Sequence, residues 1–180
     1  MIVGEERIME EKLKRVIRDV PDFPKPGILF KDITPILSEP ELLRETVEAL
    51  ARPFRSEGIS QVLGIESRGF IFAPLLAVAL GTGFVPARKP GKLPWETVTE
   101  SYALEYGKDA LEIHRDAFKP GDRVLVVDDL LATGGTASAA ARLVEKLGGK
   151  VAGAAFVIEL EFLGGRQRLP ISRVHTLVRF

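Results

Sequence analysis

Asp128 and Asp129 stand side by side at the end of an apolar run, Val124-Leu125-Val126-Val127, and two leucines later comes Ala132-Thr133-Gly134-Gly135-Thr136. The apolar run reads as a strand covered on both faces in a parallel sheet. Such a strand delivers its C-terminal end to a ligand crevice. The glycines of the turn can take positive φ and let the backbone approach closely, and the turn opens a helix whose first amides are unpaired, which suits a phosphate. A loop made for phosphate alone should avoid negative charge, so the two carboxylates need a partner that donates hydrogen bonds. The vicinal hydroxyls of a ribose lie a short distance from its 5′-phosphate, and each bond to a carboxylate is worth roughly 1.5–3 kcal/mol. The pattern points to a sugar phosphate. A simple helix cap would need one Asp and no Thr-Gly-Gly-Thr turn.

Other segments carry handles for anions and bases. Gly64-Ile65-Glu66-Ser67-Arg68-Gly69 follows a predicted strand and opens a predicted helix, so its amides and Arg68 could hold a second anionic group. Arg88-Lys89-Pro90-Gly91-Lys92 places three cations in five residues. Cations around a polyanionic leaving group stabilise its departure, although such a run alone is equally an ordinary solvated loop. In the segment 23–35, Pro24, Pro26 and Gly27 fix the backbone, so peptide groups near Leu29 could read a base edge while Phe30 offers a stacking face worth roughly 1–3 kcal/mol. The alternative there is an apolar strand covering the core. Trp95 lies in a segment that reads either as a mobile lid or as packing. His114 and His175 fall in predicted strands and read as structural.

The elements that must position these groups alternate along the chain. An amphipathic helix is expected over 5–18, while the proline-rich 21–35 cannot be a regular helix. Ser38, Pro40 and Glu41 signal a helix running to about residue 57, before Gly58. A strand at 61–65, a helix at 68–80 ended by Gly81 and a strand at 84–87 follow. After a loop over 89–99, segments 100–106 and 110–114 can pair as a hairpin across Gly107. A strand at 123–127, a helix at 136–147 and a strand at 150–158 complete a β-α-β unit, and 173–178 forms the last strand. The uncharged stretch 69–87 approaches the length of a membrane span, but Pro74, Gly81, Gly83 and Pro86 interrupt it. The expected fold is α/β, with a mostly parallel central sheet flanked by helices in a single domain over 1–180.

Composition narrows the functions. At 180 residues and 46% hydrophobic the chain can bury a sizeable core. Lys plus Arg and Asp plus Glu are 25 each, leaving no overall electrostatic reason to bind nucleic acid or an anionic membrane. With no cysteine, thiolate metal sites, disulfides and cysteine nucleophiles are excluded, and a reducing compartment fits. The charged N-terminus does not read as a signal peptide.

The run 124–136 closely resembles the phosphoribosyl-pyrophosphate (PRPP) motif of type I phosphoribosyltransferases. Gly64 to Gly69 matches that family's pyrophosphate loop. Tyr102-Ala103-Leu104-Glu105-Tyr106-Gly107 resembles the lid motif of its adenine-specific branch, and 23–35 resembles that branch's FPxPGxxFRDI segment, with Lys31 where arginine is common. Lysine lacks arginine's planar two-point contact. The resemblance covers residues 21–169 and implies the type I fold with an N-terminal hood (1–35) and a flexible lid hairpin (88–110).

The resemblance also implies a reaction: transfer of ribose 5-phosphate from PRPP to adenine N9, giving AMP and pyrophosphate in purine salvage. Asp128 and Asp129 would hold the ribose, and Ala132, Thr133, Gly134, Gly135 and Thr136 the 5′-phosphate. Glu66, Ser67, Arg68, Arg88, Lys89 and Lys92 would serve the pyrophosphate, and Leu29, Phe30, Lys31 and Leu160 the adenine. Glu105 would be the general acid/base, its pKa raised under a closed lid. Mg²⁺ is expected as the cofactor, bound through PRPP and pyrophosphate oxygens without direct protein ligands. A cytoplasmic homodimer, with the Arg88 loop able to serve the neighbouring subunit, and small-molecule partners only complete the expectation. The alternatives are transfer to xanthine, guanine or hypoxanthine, or a regulator that binds PRPP or purines without catalysis.

Overall fold

The computed structural model describes residues 2–103 and 108–180. Helix α1 (Ile2–Val16) buries Leu13 and turns a charged face outward. It stops short of residue 18 because Arg18 begins β1 (Arg18–Pro21), which pairs antiparallel with β2 (Leu29–Asp32). That two-stranded hairpin lies in the segment read from sequence only as non-helical. A short α2 (Thr34–Ser38) follows, its first amide held by Asp32 Oδ1 at 2.9 Å. Helix α3 (Pro40–Ala51) starts on proline with Glu41 in its first turn, as expected of a helix N-terminus. It ends earlier than the anticipated residue 57, because Pro53 supplies no amide and the chain tightens into a 3₁₀ turn, Arg52–Phe54.

The central sheet comprises β3 (Gln61–Ile65), β4 (Gly83–Ala87), β7 (Arg123–Leu131), β8 (Lys150–Glu159) and β9 (Val174–Arg179), all parallel, in the order β4-β3-β7-β8-β9. Helix α4 (Gly69–Leu80) connects β3 to β4, and α5 (Gly135–Lys146) connects β7 to β8. The expected strand at 123–127 is longer than read. Its ladder with β8 continues through Asp128↔Phe156 to Leu131↔Glu159, so both aspartates stand within a strand. Pairing with a long neighbour overrides the poor strand propensity of aspartate.

Alternation along β7 divides the core. Val124 and Val126 pack with Ala139, Ala140 and Leu143 of α5, while Leu125 and Val127 pack with Leu50, Phe72 and Leu76 of α3 and α4. The two covering helices therefore lie on opposite faces. Strands β5 (Thr97–Ala103) and β6 (Lys108–His114) form a separate antiparallel pair. The first begins three residues earlier than expected and is tied to α5 by Arg142 Nε donating to Glu100 Oε1 at 2.6 Å. Among the described residues no helix is long and apolar enough to cross a membrane. His175 contacts the Ala49 carbonyl at 3.2 Å, which fits its structural reading.

Candidate active site at the carboxyl edge of the sheet

The connections from β3 and from β7 leave in opposite directions, so a crevice opens between the carboxyl ends of these neighbouring strands. The Glu66–Ser67 peptide at the end of β3 is cis, and α4 begins at Gly69. A Cβ there would lie 2.9 Å from the Val127 carbonyl oxygen and 3.0 Å from Asp128 Oδ1. Only glycine lets the α4 N-terminus come this close to β7. The approach brings Arg68 Nε to 2.9 Å from Asp129 Oδ2, a contact of charge without hydrogen-bond alignment. The same guanidinium lies over the Phe30 ring, 4.7 Å from its centroid, and Phe23 meets Phe30 edge-on at 5.1 Å.

Electrostatics around this junction are tense. Burial pushes the Asp128 carboxyl well above the ordinary aspartate range, and the adjacent Asp129 charge adds to the effect. Burial also raises Asp129, although the Arg68 charge opposes it. Among the described residues these carboxylates have too few hydrogen-bond donors to be comfortable when ionised, and Asp129 Oδ2 has none. Hydroxyl donors from outside would supply them.

Beyond β7 the turn curls around an opening of about 60 Å³ lined by Asp128, Ala132, Thr133, Gly134, Gly135 and Thr136. Gly134 takes the left-handed conformation, φ +82°, at the start of α5. The first amides of α5 have no carbonyl one turn back within the helix and are available to an anion. A larger cavity, about 850 Å³, lies elsewhere between α1, α3 and β9, crossed by the Arg52–Glu5 ion pair at 2.7 Å. It touches none of these groups.

The basic cluster is already organised by carboxylates. Glu66 accepts from Arg88 Nη2 at 3.0 Å, Lys92 Nζ at 2.9 Å and the Lys89 amide at 2.9 Å. Burial raises the Glu66 carboxyl, but these hydrogen bonds outweigh it and hold the pKa at about 2. The Lys89 ammonium donates to Tyr102 Oη at 3.0 Å and pairs with Asp109. The cluster thus links the end of β3, the loop after β4 and the Tyr102↔Asp109 rung of the β5–β6 pair. Ser67 lies between Glu66 and Arg68 at the same edge.

At the expected base pocket, Phe30 faces Arg68, with the exposed Leu29 beside it in sequence. Lys31 is not brought there. Side chains alternate along β2, so it points to the other face, where Nζ lies 2.6 Å from Asp19 Oδ1 and 3.6 Å from the Phe180 ring centroid. Leu160 follows β8, and its amide donates to the Leu131 carbonyl at 2.9 Å. Trp95 is exposed. Glu105 lies outside the described residues. The sequence reading assigned no role of their own to Gly69 or Gly165, whose backbones approach neighbouring strands and turns too closely for a side chain. Gly69 could have been suspected from its place in the pyrophosphate-loop motif, and Gly165 only from its Gly-Gly pair.

The phosphoribosyl transferase domain family matches residues 33–174. Over 172 residues the chain is 59% identical to the adenine phosphoribosyltransferase of Anaeromyxobacter dehalogenans, covering 96% of this chain and 100% of that one. The adenine phosphoribosyltransferase structure from Rhodothermus marinus matches with a TM-score of 0.92 and 59% identity over 97% of this chain and 99% of the other. The Saccharomyces cerevisiae enzyme, solved with an imino-altritol bisphosphate and adenine, gives a TM-score of 0.90 and 44% identity over 95% and 99%. With that identity along nearly its whole length and a crevice built on the same motifs, the chain belongs to the adenine phosphoribosyltransferase family.

Proposed function

We infer that this protein transfers the ribose 5-phosphate of PRPP to N9 of adenine, releasing pyrophosphate and forming AMP. The observation that carries this reading is the bridge made by Arg68. Its guanidinium spans from Asp129, at the carboxylate pair, to Phe30, at the aromatic hood, so a sugar and a stacked base would lie one side chain apart.

In the reaction the bond from ribose C1′ to the pyrophosphate oxygen breaks and the bond from C1′ to N9 forms. The leaving oxygen keeps the electron pair, and N9 loses its proton. Asp128 and Asp129 accept hydrogen bonds from the ribose hydroxyls, and their charge favours the positive character that develops on the ring as the bond to pyrophosphate stretches. The turn from Ala132 through Thr133, Gly134 and Gly135 to Thr136 takes the 5′-phosphate on its amides. Arg68, Arg88, Lys89 and Lys92, with the Ser67 turn, receive pyrophosphate; Glu66 keeps three of these neighbours gathered until it arrives. Adenine lies between Phe30 and Leu160, next to Leu29, and Lys31 serves that pocket indirectly by anchoring the hood to the C-terminus. Glu105 exchanges the purine proton.

Mg²⁺ would be held mainly by PRPP and pyrophosphate oxygens rather than by protein ligands, and would supply positive charge that favours departure of the leaving group. The donor set fits this arrangement, since Asp128 and Asp129 are the carboxylates beside the sugar position and both are occupied by ribose in this reading. A homodimer is supported by α4, whose Ile71, Leu75 and Val78 share one face, with Leu75 39% and Val78 82% exposed. The cysteine-free composition supports work in the cytoplasm.

The test is a single reaction holding the protein, PRPP, Mg²⁺ and equal adenine, guanine, hypoxanthine and xanthine, with nucleotides resolved by mass. AMP as the main product is expected. Another nucleotide would overturn the adenine assignment, and PRPP binding without any product would indicate a regulator.

A further inference from the structure

The turn that would take the 5′-phosphate has little of its own to hold it in shape. Among the described residues no side chain caps α5, and Gly134 occupies its N-cap position in the left-handed region. A glycine-rich turn receives an anion well only if its other conformations are suppressed.

What suppresses them lies directly beneath. Helix α6 (Gly165–Arg168) touches the turn backbone to backbone. A Cβ on Gly165 would lie 2.1 Å from the Ala132 carbonyl oxygen and 3.0 Å from the Gly134 amide nitrogen, and a Cβ on Gly134 would lie 2.7 Å from the Gly165 carbonyl oxygen. Neither glycine tolerates a side chain. At four residues α6 is too short to be stable alone. It is tethered through Arg166. The Arg166 Nε donates to Glu159 Oε1 at 2.9 Å, Nη1 to the Val174 carbonyl at 2.8 Å and Nη2 to Thr176 Oγ1 at 3.1 Å. Glu159 is the last residue of β8 and only 4% exposed. It also accepts from Thr176 Oγ1 at 3.0 Å. One planar guanidinium thereby ties α6 to two strands of the sheet.

We propose that Glu159 and Arg166 are positioning residues for the 5′-phosphate: through Gly165 they hold the backbone of residues 132–134 in the shape that receives it. This rests on the reading of that turn as the phosphate site.

Arg166→Ala would leave the buried Glu159 charge with only the Thr176 hydroxyl at 3.0 Å and Arg179 Nε at 3.8 Å and threaten folding, so two narrower changes decide the matter. Arg166→Lys keeps the charge but loses the fork, and Gly165→Ala keeps the ion pair but drives a methyl into the Ala132 carbonyl. Each variant, checked for folding by thermal melting, is titrated with AMP and with adenosine, which differ only in the 5′-phosphate. AMP affinity should fall about tenfold or more in both variants, as for other small displacements of a binding group, while adenosine affinity stays unchanged. If either variant does not fold, Glu159→Gln takes its place and carries the same expectation. Equal losses for both ligands, or no loss for either, overturn the proposal. An unsubstituted protein that binds AMP no better than adenosine would instead refute the phosphate site itself.

Discussion

Asp128→Asn should make this protein more stable and poorer at binding PRPP. Burial, with the Asp129 charge behind it, raises the Asp128 carboxyl well above its ordinary value. The folded chain therefore binds that proton more tightly than the unfolded chain. An ionised Asp128 costs stability at neutral pH, and the cost fades as pH falls through the raised folded pKa. Asparagine removes the charge, yet it keeps the shape and the Oδ1 acceptor that meets the Asp129 amide at 2.8 Å. Relief of a strained functional charge should add on the order of 1 kcal/mol. For a chain of this size that is a rise of roughly 2–4 °C in Tm. The same change removes a charge-assisted acceptor for a ribose hydroxyl, about 1.5–3 kcal/mol, or about a 10- to 150-fold loss of PRPP affinity. Thermal melts of both proteins between pH 7 and pH 4, with PRPP titrated at pH 7, give both quantities. The Tm gap should narrow toward acid, as the parent's Asp128 takes up its proton. A variant that melts below the parent at pH 7, or binds PRPP as the parent does, refutes the reasoning.

Glu66 presents the opposite sign. Its folded pKa of about 2 lies below the ordinary 4.5, so its contribution is complete above the ordinary value and disappears as pH falls toward 2. Glu66→Gln should cost on the order of 2 kcal/mol at neutral pH, discounted for solvent around Lys92, and flatten the loss of stability between those values; urea unfolding at several pH values measures it, and an unaltered slope speaks against the assignment. Glu105→Gln should lower turnover about 10²–10⁴-fold with PRPP still bound, the usual reach of general acid/base catalysis; steady-state AMP formation with an unchanged kcat would remove Glu105 from the mechanism. In the proposed homodimer, Val78→Lys should charge the outer face of α4 and leave the protein monomeric, read by sedimentation. A dimer of unaltered mass would exclude that face as the interface.

The parts of this protein legible in sequence are those whose cause is local. The strand at 61–65 appears with the bounds expected, because an apolar run and a following turn signal sit within a few residues. Helices α4 and α5 begin within one residue of their expected starts, marked by the glycines at their N-termini. The hood hairpin was missed because each of its strands has four residues, too few for alternation to register, and Arg18 meets Asp32 only across a proline-rich excursion. The end of β7 was set four residues early because its extension depends on β8, more than twenty residues away in the chain.

Within the site the same division holds. The adjacent carboxylates and the glycine turn announce a phosphorylated sugar by type and spacing, since both lie inside a single short segment, whereas the basic loop by itself is equally an ordinary solvated one. Their mutual arrangement is a tertiary matter. Gly69 seats Arg68 beside Asp129 only because α4 packs on β7, Lys31 turns toward Phe180 only because β2 pairs with β1, and Gly165 supports the phosphate turn only because Glu159 reaches Arg166. The inventory of reactive groups is covalent and local, and so it is legible before folding; which of those groups meet, and which are already spoken for, depends on contacts between residues brought together only by the packing of the sheet and its helices.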